Sequence, residues 1–384
     1  MTVKGRSVAE YMNRNDGGSK SGSRWVISIE LIVLMAFVCV FISRELKGRM
    51  EDAALQNKET GFKWESDTEE AIEVSATGNY IKWVEFHATC EALAAAYDLD
   101  VATCQDEVHL DWIELLSYVG AKHGGKFDSK SVKEINEAAE KLRNKETTMD
   151  KLTEGMEYYA YYLEAYSAVL SGMVGEFSLE EEGEWKKYYG LKAFSPIAKG
   201  FDYSHYDDFG ASRSYGYARP HLGHDMMGQI GTPIIAVESG VVEALGWNQY
   251  GGWRIGIRSF DGRRYYYYAH LRQNYPYAEN LKEGSVVTAG DVIGYMGHTG
   301  YSSKENVNNI ETVHLHWGLQ LIFDESQKEG NNEIWIDCYE LTKFLYRNRS
   351  EVYKVEGSKE WRRAHEMEDP EVEKHCKKDT PMIQ

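Results

Sequence analysis

Arg219-Pro220-His221-Leu222-Gly223-His224-Asp225, read with the later His314-Leu315-His316, decides what the C-terminal part of this chain is. Imidazole nitrogen and carboxylate oxygen are zinc ligands, and a catalytic zinc site takes three protein ligands and leaves its fourth position to water. His221, Asp225 and His316 supply such a set. In an extended segment successive side chains alternate faces. His221, Gly223 and Asp225 then share one face, and His224 takes the other. The same alternation puts His314 and His316 on one face, about 6–7 Å apart along a strand. One can hold a metal while the other reaches the solvent beside it. A regular strand would separate His221 from Asp225 by roughly 13 Å, too far for one ion. The backbone is therefore expected to bend between them, at Gly223.

Short apolar strands and Gly-containing turns surround these residues. From Phe194-Ser195-Pro196-Ile197 onward, helix signals are few and the pattern is that of an all-β domain. Ile255 to Ser259, Asp261-Gly262 and Arg264 to Tyr268 read as a hairpin that delivers His270 just past its second strand. Val313 to Phe323 alternates through Leu315, Trp317, Leu319, Leu321 and Phe323, which face a core while His314 and His316 face a groove.

The order H-x-x-x-D, then Tyr268-Ala269-His270-Leu271, then H-x-H resembles the lysostaphin/LytM-type zinc endopeptidases that cut peptidoglycan peptides. Gly231-Thr232-Pro233-Ile234-Ile235-Ala236, Ser239-Gly240-Val241-Val242, the stretch Gly294 to Gly300 and His314-Leu315-His316-Trp317-Gly318 extend the likeness over roughly residues 195–325. His224 stands where that family more often has an aliphatic residue. The resemblance implies an antiparallel sheet lined by a metal cleft, with Zn2+ on His221, Asp225 and His316. It also implies that His314 orients or deprotonates water. His270 would do the same or stabilise the tetrahedral oxyanion. A glutamate base is not expected, since His365-Glu366 is followed by Asp369 where an H-E-x-x-H helix needs histidine. The substrate implied is a peptide stem or cross-bridge of peptidoglycan. A different class of reading is a catalytically idle scaffold of the same fold docking within a cell-envelope assembly.

Composition limits the alternatives. The 384 residues suffice for two or three domains, and 42% hydrophobic with 13% aromatic residues is ample for packed cores. A net charge of −18 argues against a nucleic-acid partner, which needs clustered Lys and Arg. Recognition is expected to be local instead, through some of the 27 Tyr and 10 Trp. The five cysteines have no metal spacing. Cys90 and Cys104 close a short loop and are either bridged or free.

The rest of the chain reads as α+β and multidomain. Residues 1–24 are polar and basic, and the apolar run 25–43 is about long enough to span a bilayer. Five basic residues ahead of the span favour a cytoplasmic N-terminus and an extracytoplasmic catalytic part. Residues 44–80 read as a juxtamembrane linker. Residues 81–190 read as a small helical domain, with Ile113, Leu116, Val119 and Ile135, Ala138, Leu142 at helical spacing. It is a spacer or a docking surface for envelope partners. Glu114 is its one candidate acid, outweighed by a solvated helix face, and the Tyr158 to Tyr162 run reads as packing. Glu180 to Glu184 marks the boundary to a peptidase domain at 195–350, and the charged tail 351–384 is expected to be mobile and outside the catalytic unit.

Overall fold

The computed structural model describes residues 80–215, 217–328 and 332–378. The expected segment 1–24, the span 25–43 and all of the linker but its last residue lie outside these. Among the described residues, no helix is long and apolar enough to cross a membrane.

Five helices come first. α1 (Cys90–Thr103) is capped by the Thr89 hydroxyl, and α2 (Trp112–His123) by the Asp111 carboxylate, which accepts from the Ile113 and Glu114 amides. α3 (Ser131–Arg143), the one-turn α4 (Met149–Thr153) and α5 (Tyr159–Leu170) follow. α2 and α5 approach closely because Gly120 has no side chain: a Cβ there would come within 3.0 Å of the Tyr166 hydroxyl. Tyr162 meets Tyr166 edge-on, and the Tyr161 hydroxyl donates to the Trp83 carbonyl, so this part of the tyrosine run does pack. Cys90 opens α1 and Cys104 closes it. At about 1.5 Å of rise per residue they stand near opposite ends of one helix, far beyond disulfide reach, and both are free.

The helices end at Leu170, and the remainder of the 81–190 segment is β. β1 (Val174–Glu181) and β2 (Glu184–Leu191) form a hairpin whose turn residues, Glu182 and Gly183, have φ of 54° and 83°. Two positive φ values are what a tight I′ hairpin turn requires. The acidic run expected as a domain boundary is therefore this turn. The described residues fall in one unit, and a shared apolar core runs from Leu93 and Leu116 in the helices to Ile257 and Trp317 in the sheet.

The next strands in chain order are β3 (Ser204–Tyr206), β4 (Ser212–Tyr215), β5 (Tyr217–Pro220) and β6 (His224–Met227). β7 (Pro233–Ile235), β8 (Gly240–Asn248), β9 (Gly252–Ser259) and β10 (Arg264–Ala269) follow. β11 (Val286–Val287), β12 (Val292–Tyr295), β13 (His314–Leu321) and β14 (Ile334–Ile336) complete the central part. The main sheet runs β11-β8-β9-β10-β13-β6-β3, with β14 also on β13, and every pairing is antiparallel. The expected β9–β10 hairpin is present, turning at Asp261-Gly262, as is the alternation of β13, whose Leu315, Trp317, Leu319 and Leu321 are fully buried.

The end of the chain departs from expectation. After α6 (Tyr339–Leu345), which sets Phe344 against Tyr97 and Trp112 of the helical part, the tail is folded. β15 (Val352–Lys354) pairs with β16 (Trp361–Arg363), β17 (Met367–Glu368) adds to β1, and α7 (Pro370–Lys378) follows. Several of its charges have partners. Asp369 is buried on Lys192 at 2.8 Å, Arg363 reaches Asp291 at 3.0 Å, and Glu360 accepts from Tyr295 at 3.1 Å. A count of charges along the sequence does not reveal such partners.

Candidate metal centre and groove

Strand register assembles the centre. β6 and β13 pair with Asp225 opposite His316, and β13 and β10 pair with His316 opposite Ala269, so His270 follows at the strand end. His221 lies between β5 and β6 and turns back onto both. Three donor atoms converge: His221 Nε2 lies 3.0 Å from Asp225 Oδ1 and 2.9 Å from His316 Nδ1, and the last two are 3.0 Å apart. This is a near-equilateral triangle of two imidazole nitrogens and one carboxylate oxygen. Tetrahedral zinc with bonds of about 2.0–2.1 Å spaces its ligands roughly 3.3 Å apart, so the donor set and spacing fit that ion. These are the three residues expected from the sequence to meet, and they are the cluster suited to a metal among the described residues.

The chain bends at Gly223 as expected, without entering the left-handed region. Gly223 also provides space: a Cβ there would sit 2.5 Å from the His316 ring and 3.0 Å from the Trp317 carbonyl oxygen. His224 points away as expected: its Nε2 lies 2.7 Å from His205 Nδ1, and the two rings pack with Tyr339.

Behind the triangle stand two residues that the sequence reading missed. Asp208 Oδ1 lies 2.9 Å from His221 Nδ1, though off the direction of a ring N–H, and Arg213 pairs with both Asp208 and Asp225. They belong to no local motif, so spacing carried no signal. Such outer partners fix ring orientation and the charge of a ligating carboxylate.

Two further histidines flank the triangle. His270 Nδ1 is 3.0 Å from the Thr299 carbonyl, and His314 Nδ1 is 2.8 Å from the Thr312 carbonyl. A carbonyl only accepts, so each Nδ1 carries the proton and each Nε2 keeps a lone pair. The rings are 4.7 Å apart by centroid, and His314 Nε2 is 3.7 Å from Asp225 Oδ2. His270 is held with φ of 63°, a left-handed conformation uncommon for a residue with a side chain. His298 supports a loop, Nδ1 lying 2.7 Å from the Ile310 carbonyl.

Charge states follow from the surroundings. Burial, reinforced by His314 and His316, holds His270 well below the ordinary imidazole value, so it is neutral at neutral pH. Burial also pulls His221 down, but the Asp225 hydrogen bond and the charges of Asp225 and Asp208 outweigh it and leave it raised. For His316, burial prevails over Asp225 and the net shift is downward. Burial alone would raise Asp225, yet hydrogen bonds to His221 and His316 hold it far below the usual carboxylate range.

The centre lies in a groove of about 1120 Å3, whose walls include Tyr206, Arg219, Tyr250, Tyr301, Lys328 and Trp335. Glu114 lies elsewhere, in the first turn of α2. Burial and the neighbouring Asp111 raise its pKa, and it belongs neither to the metal-type cluster nor to this groove.

Residues 219–332 match Peptidase family M23, and this stretch is a domain of that family. Over 130 residues the chain is 39% identical to the L-Ala–D-Glu endopeptidase of Bacillus subtilis (strain 168), a match covering 34% of this chain and 38% of that protein. Over 89 residues it is 37% identical to Glycyl-glycine endopeptidase ALE-1 of Staphylococcus capitis, covering 23% of each. Among solved structures, the catalytic domain of the antimicrobial peptidase lysostaphin from Staphylococcus simulans is 32% identical, covering 34% of this chain and 84% of that one, with a TM-score of 0.27. The chain spans well under half the length of the Bacillus subtilis and Staphylococcus capitis relatives.

Proposed function

We propose that the protein is a zinc endopeptidase acting on peptide stems or cross-bridges of peptidoglycan, tethered to the cell membrane through residues 25–43 with its catalytic part outside. The observation that carries this reading is the 3 Å triangle of His221, Asp225 and His316, flanked by two imidazoles whose Nδ1 atoms are both committed to backbone carbonyls. Relatives named for cleaving an L-Ala–D-Glu or a glycyl-glycine bond support it, as does the match of residues 219–332, which hold the site, to Peptidase family M23.

Bound zinc would supply a Lewis acid for the scissile carbonyl and bring the pKa of water from 15.7 to about 7. The chain's own groups do the rest. His314 Nε2 takes the proton of the attacking water and returns it to the leaving amine, while the Thr312 carbonyl keeps the ring in the tautomer that allows this. His270, kept neutral by burial, offers a second Nε2 lone pair on the same side, able to hold the attacking water in place. Asp208 and Arg213 hold His221 and Asp225 in place.

The test has two parts. The purified protein is expected to carry close to one zinc, and His316→Ala to lose it. Digested cell wall is expected to gain new amino termini with the natural protein and none with His314→Ala. A protein that holds zinc yet cuts no wall would leave the scaffold reading in possession.

A further inference from the structure

Resting on the peptidase reading, we infer that Arg219 and Arg254 form a carboxylate-binding subsite in the groove, so that the preferred peptide carries a free carboxylate beside the scissile bond. Four observations meet here. Both arginines line the same groove as the metal triangle. The Nε of each is shut away from solvent with no acceptor. Among the described residues neither has an ion-pair partner, whereas Arg213 on the same wall is paired with Asp208 and Asp225. Both charges bear on one side chain, Tyr267, whose hydroxyl they favour ionising against the stronger effect of burial.

Arg219 is also preorganised. Its guanidinium carbon lies 4.8 Å from the Tyr250 ring centroid and 5.6 Å from that of Tyr301, and its Nη2 donates to the Tyr301 hydroxyl at 3.3 Å. Tyr301 sits at φ 47°, a conformation costly for an aromatic residue, in the loop that begins after Thr299. Two rings and one hydrogen bond thus fix the plane of the fork, whose charge no carboxylate among the described residues neutralises. A carboxylate entering the groove accepts from its terminal Nη atoms, a charge-assisted contact that a neutral carbonyl cannot match.

The site lies beside the reacting groups. Arg219 precedes the ligand His221 by two residues, and the Tyr267 ring is 5.9 Å from that of His316. In a chain with net charge −18, two guanidiniums without acidic partners select for an anion entering from outside. A glycine cross-bridge offers no such group. An isoglutamyl residue offers one next to the bond.

Three peptides of one sequence test this. In the first, the residue flanking the scissile bond carries a carboxylate; in the second, a carboxamide; in the third, a carboxamide there but a free carboxylate at the chain end. The protein is expected to favour the first over the second by about ten- to hundredfold in kcat/KM, chiefly through KM. Arg219→Gln and Arg254→Gln, checked for full zinc content, should each bring that ratio toward one. A preference that follows the third peptide supports the site and assigns it to the chain end. A ratio near one in the natural protein, or a ratio kept in both variants, overturns the inference. Calorimetric binding of the same peptides to zinc-loaded His314→Ala separates the two readings. Discrimination in binding, where the natural protein cuts none of the three peptides, ends the peptidase reading and spares the subsite. Binding without discrimination ends the subsite alone.

Discussion

At one end of β10, past Ala269, three donor atoms crowd within about 3 Å of one another and two more imidazole lone pairs face them. At the other end, Arg264 is 1% exposed and every arm of its guanidinium is used. Nε and Nη2 donate to Glu238 at 2.8 and 3.0 Å, Nη1 donates to the Ala168 carbonyl, and Nη2 also reaches Asp261. Tyr266 adds a hydrogen bond to Glu238, while nearby Lys192 and Ser239 saturate Asp369. One cluster is built with lone pairs in excess and the other with donors and acceptors matched. Excess marks a place for an ion, whereas matching marks a clip between α5, the sheet and the C-terminal tail.

Removing one partner from the matched cluster gives the largest expected effect. Arg264→Met strands the buried Glu238 carboxylate, and breaking a buried pair in this way costs about 3–5 kcal/mol. The melting temperature should fall by several degrees while zinc content at low temperature stays near one. Loss of zinc at an unchanged melting temperature would merge the two clusters into one functional unit and end the contrast.

The metal end is sharpened by Gly223→Ala. The added Cβ meets the His316 ring on one side and the Trp317 backbone oxygen on the other, and the latter cannot swing away. His316 must yield. Zinc affinity, read by competition with a chelator, is expected to drop at least as far as for a lost outer partner, about 10- to 100-fold, with the far-UV circular dichroism retained. Unchanged affinity would mean that His316 is free to move and is no fixed vertex of the triangle.

What the sequence made legible divides along the same line. The triangle could be read because His221 and Asp225 lie within one short segment and His316 lies in an alternating strand, so period-two reasoning reached all three and rejected His224. His270 followed from the hairpin. The bend at Gly223 was legible, whereas its second use, space beside the His316 ring, was not, because only folding brings that ring near. The matched cluster was invisible: Lys192 and Asp369 are 177 positions apart, and each alone reads as a surface charge. For the same reason the charged tail was taken as mobile and Glu180 to Glu184 as a boundary. Cys90 and Cys104 looked bridgeable until a helix was known to run between them. Local spacing reports local geometry, while complementarity across the chain leaves no periodic trace.

The smallest effect concerns the back of β6, where His224 and His205 face each other across 2.7 Å. Burial, with the charge His205 would carry, pushes His224 down to about 3, and burial lowers His205 as well. Both rings are therefore neutral in the fold at pH values where free imidazole, near 6.5, takes a proton. Below that value the unfolded chain binds protons that the fold refuses, so stability rises with pH and is lost on acidification. For His224 the window runs from about 6.5 down to about 3, with a slope of up to roughly 1.4 kcal/mol per pH unit. Asp225, held far below the carboxylate range, stays ionised across most of it. Urea unfolding of the zinc-free protein between pH 7 and 4.5 reads the slope, and His224→Gln, which keeps a hydrogen-bonding group and does not titrate, should flatten it. A slope unmoved by that substitution would place the acid sensitivity on the ligand face instead, at His221 and His316.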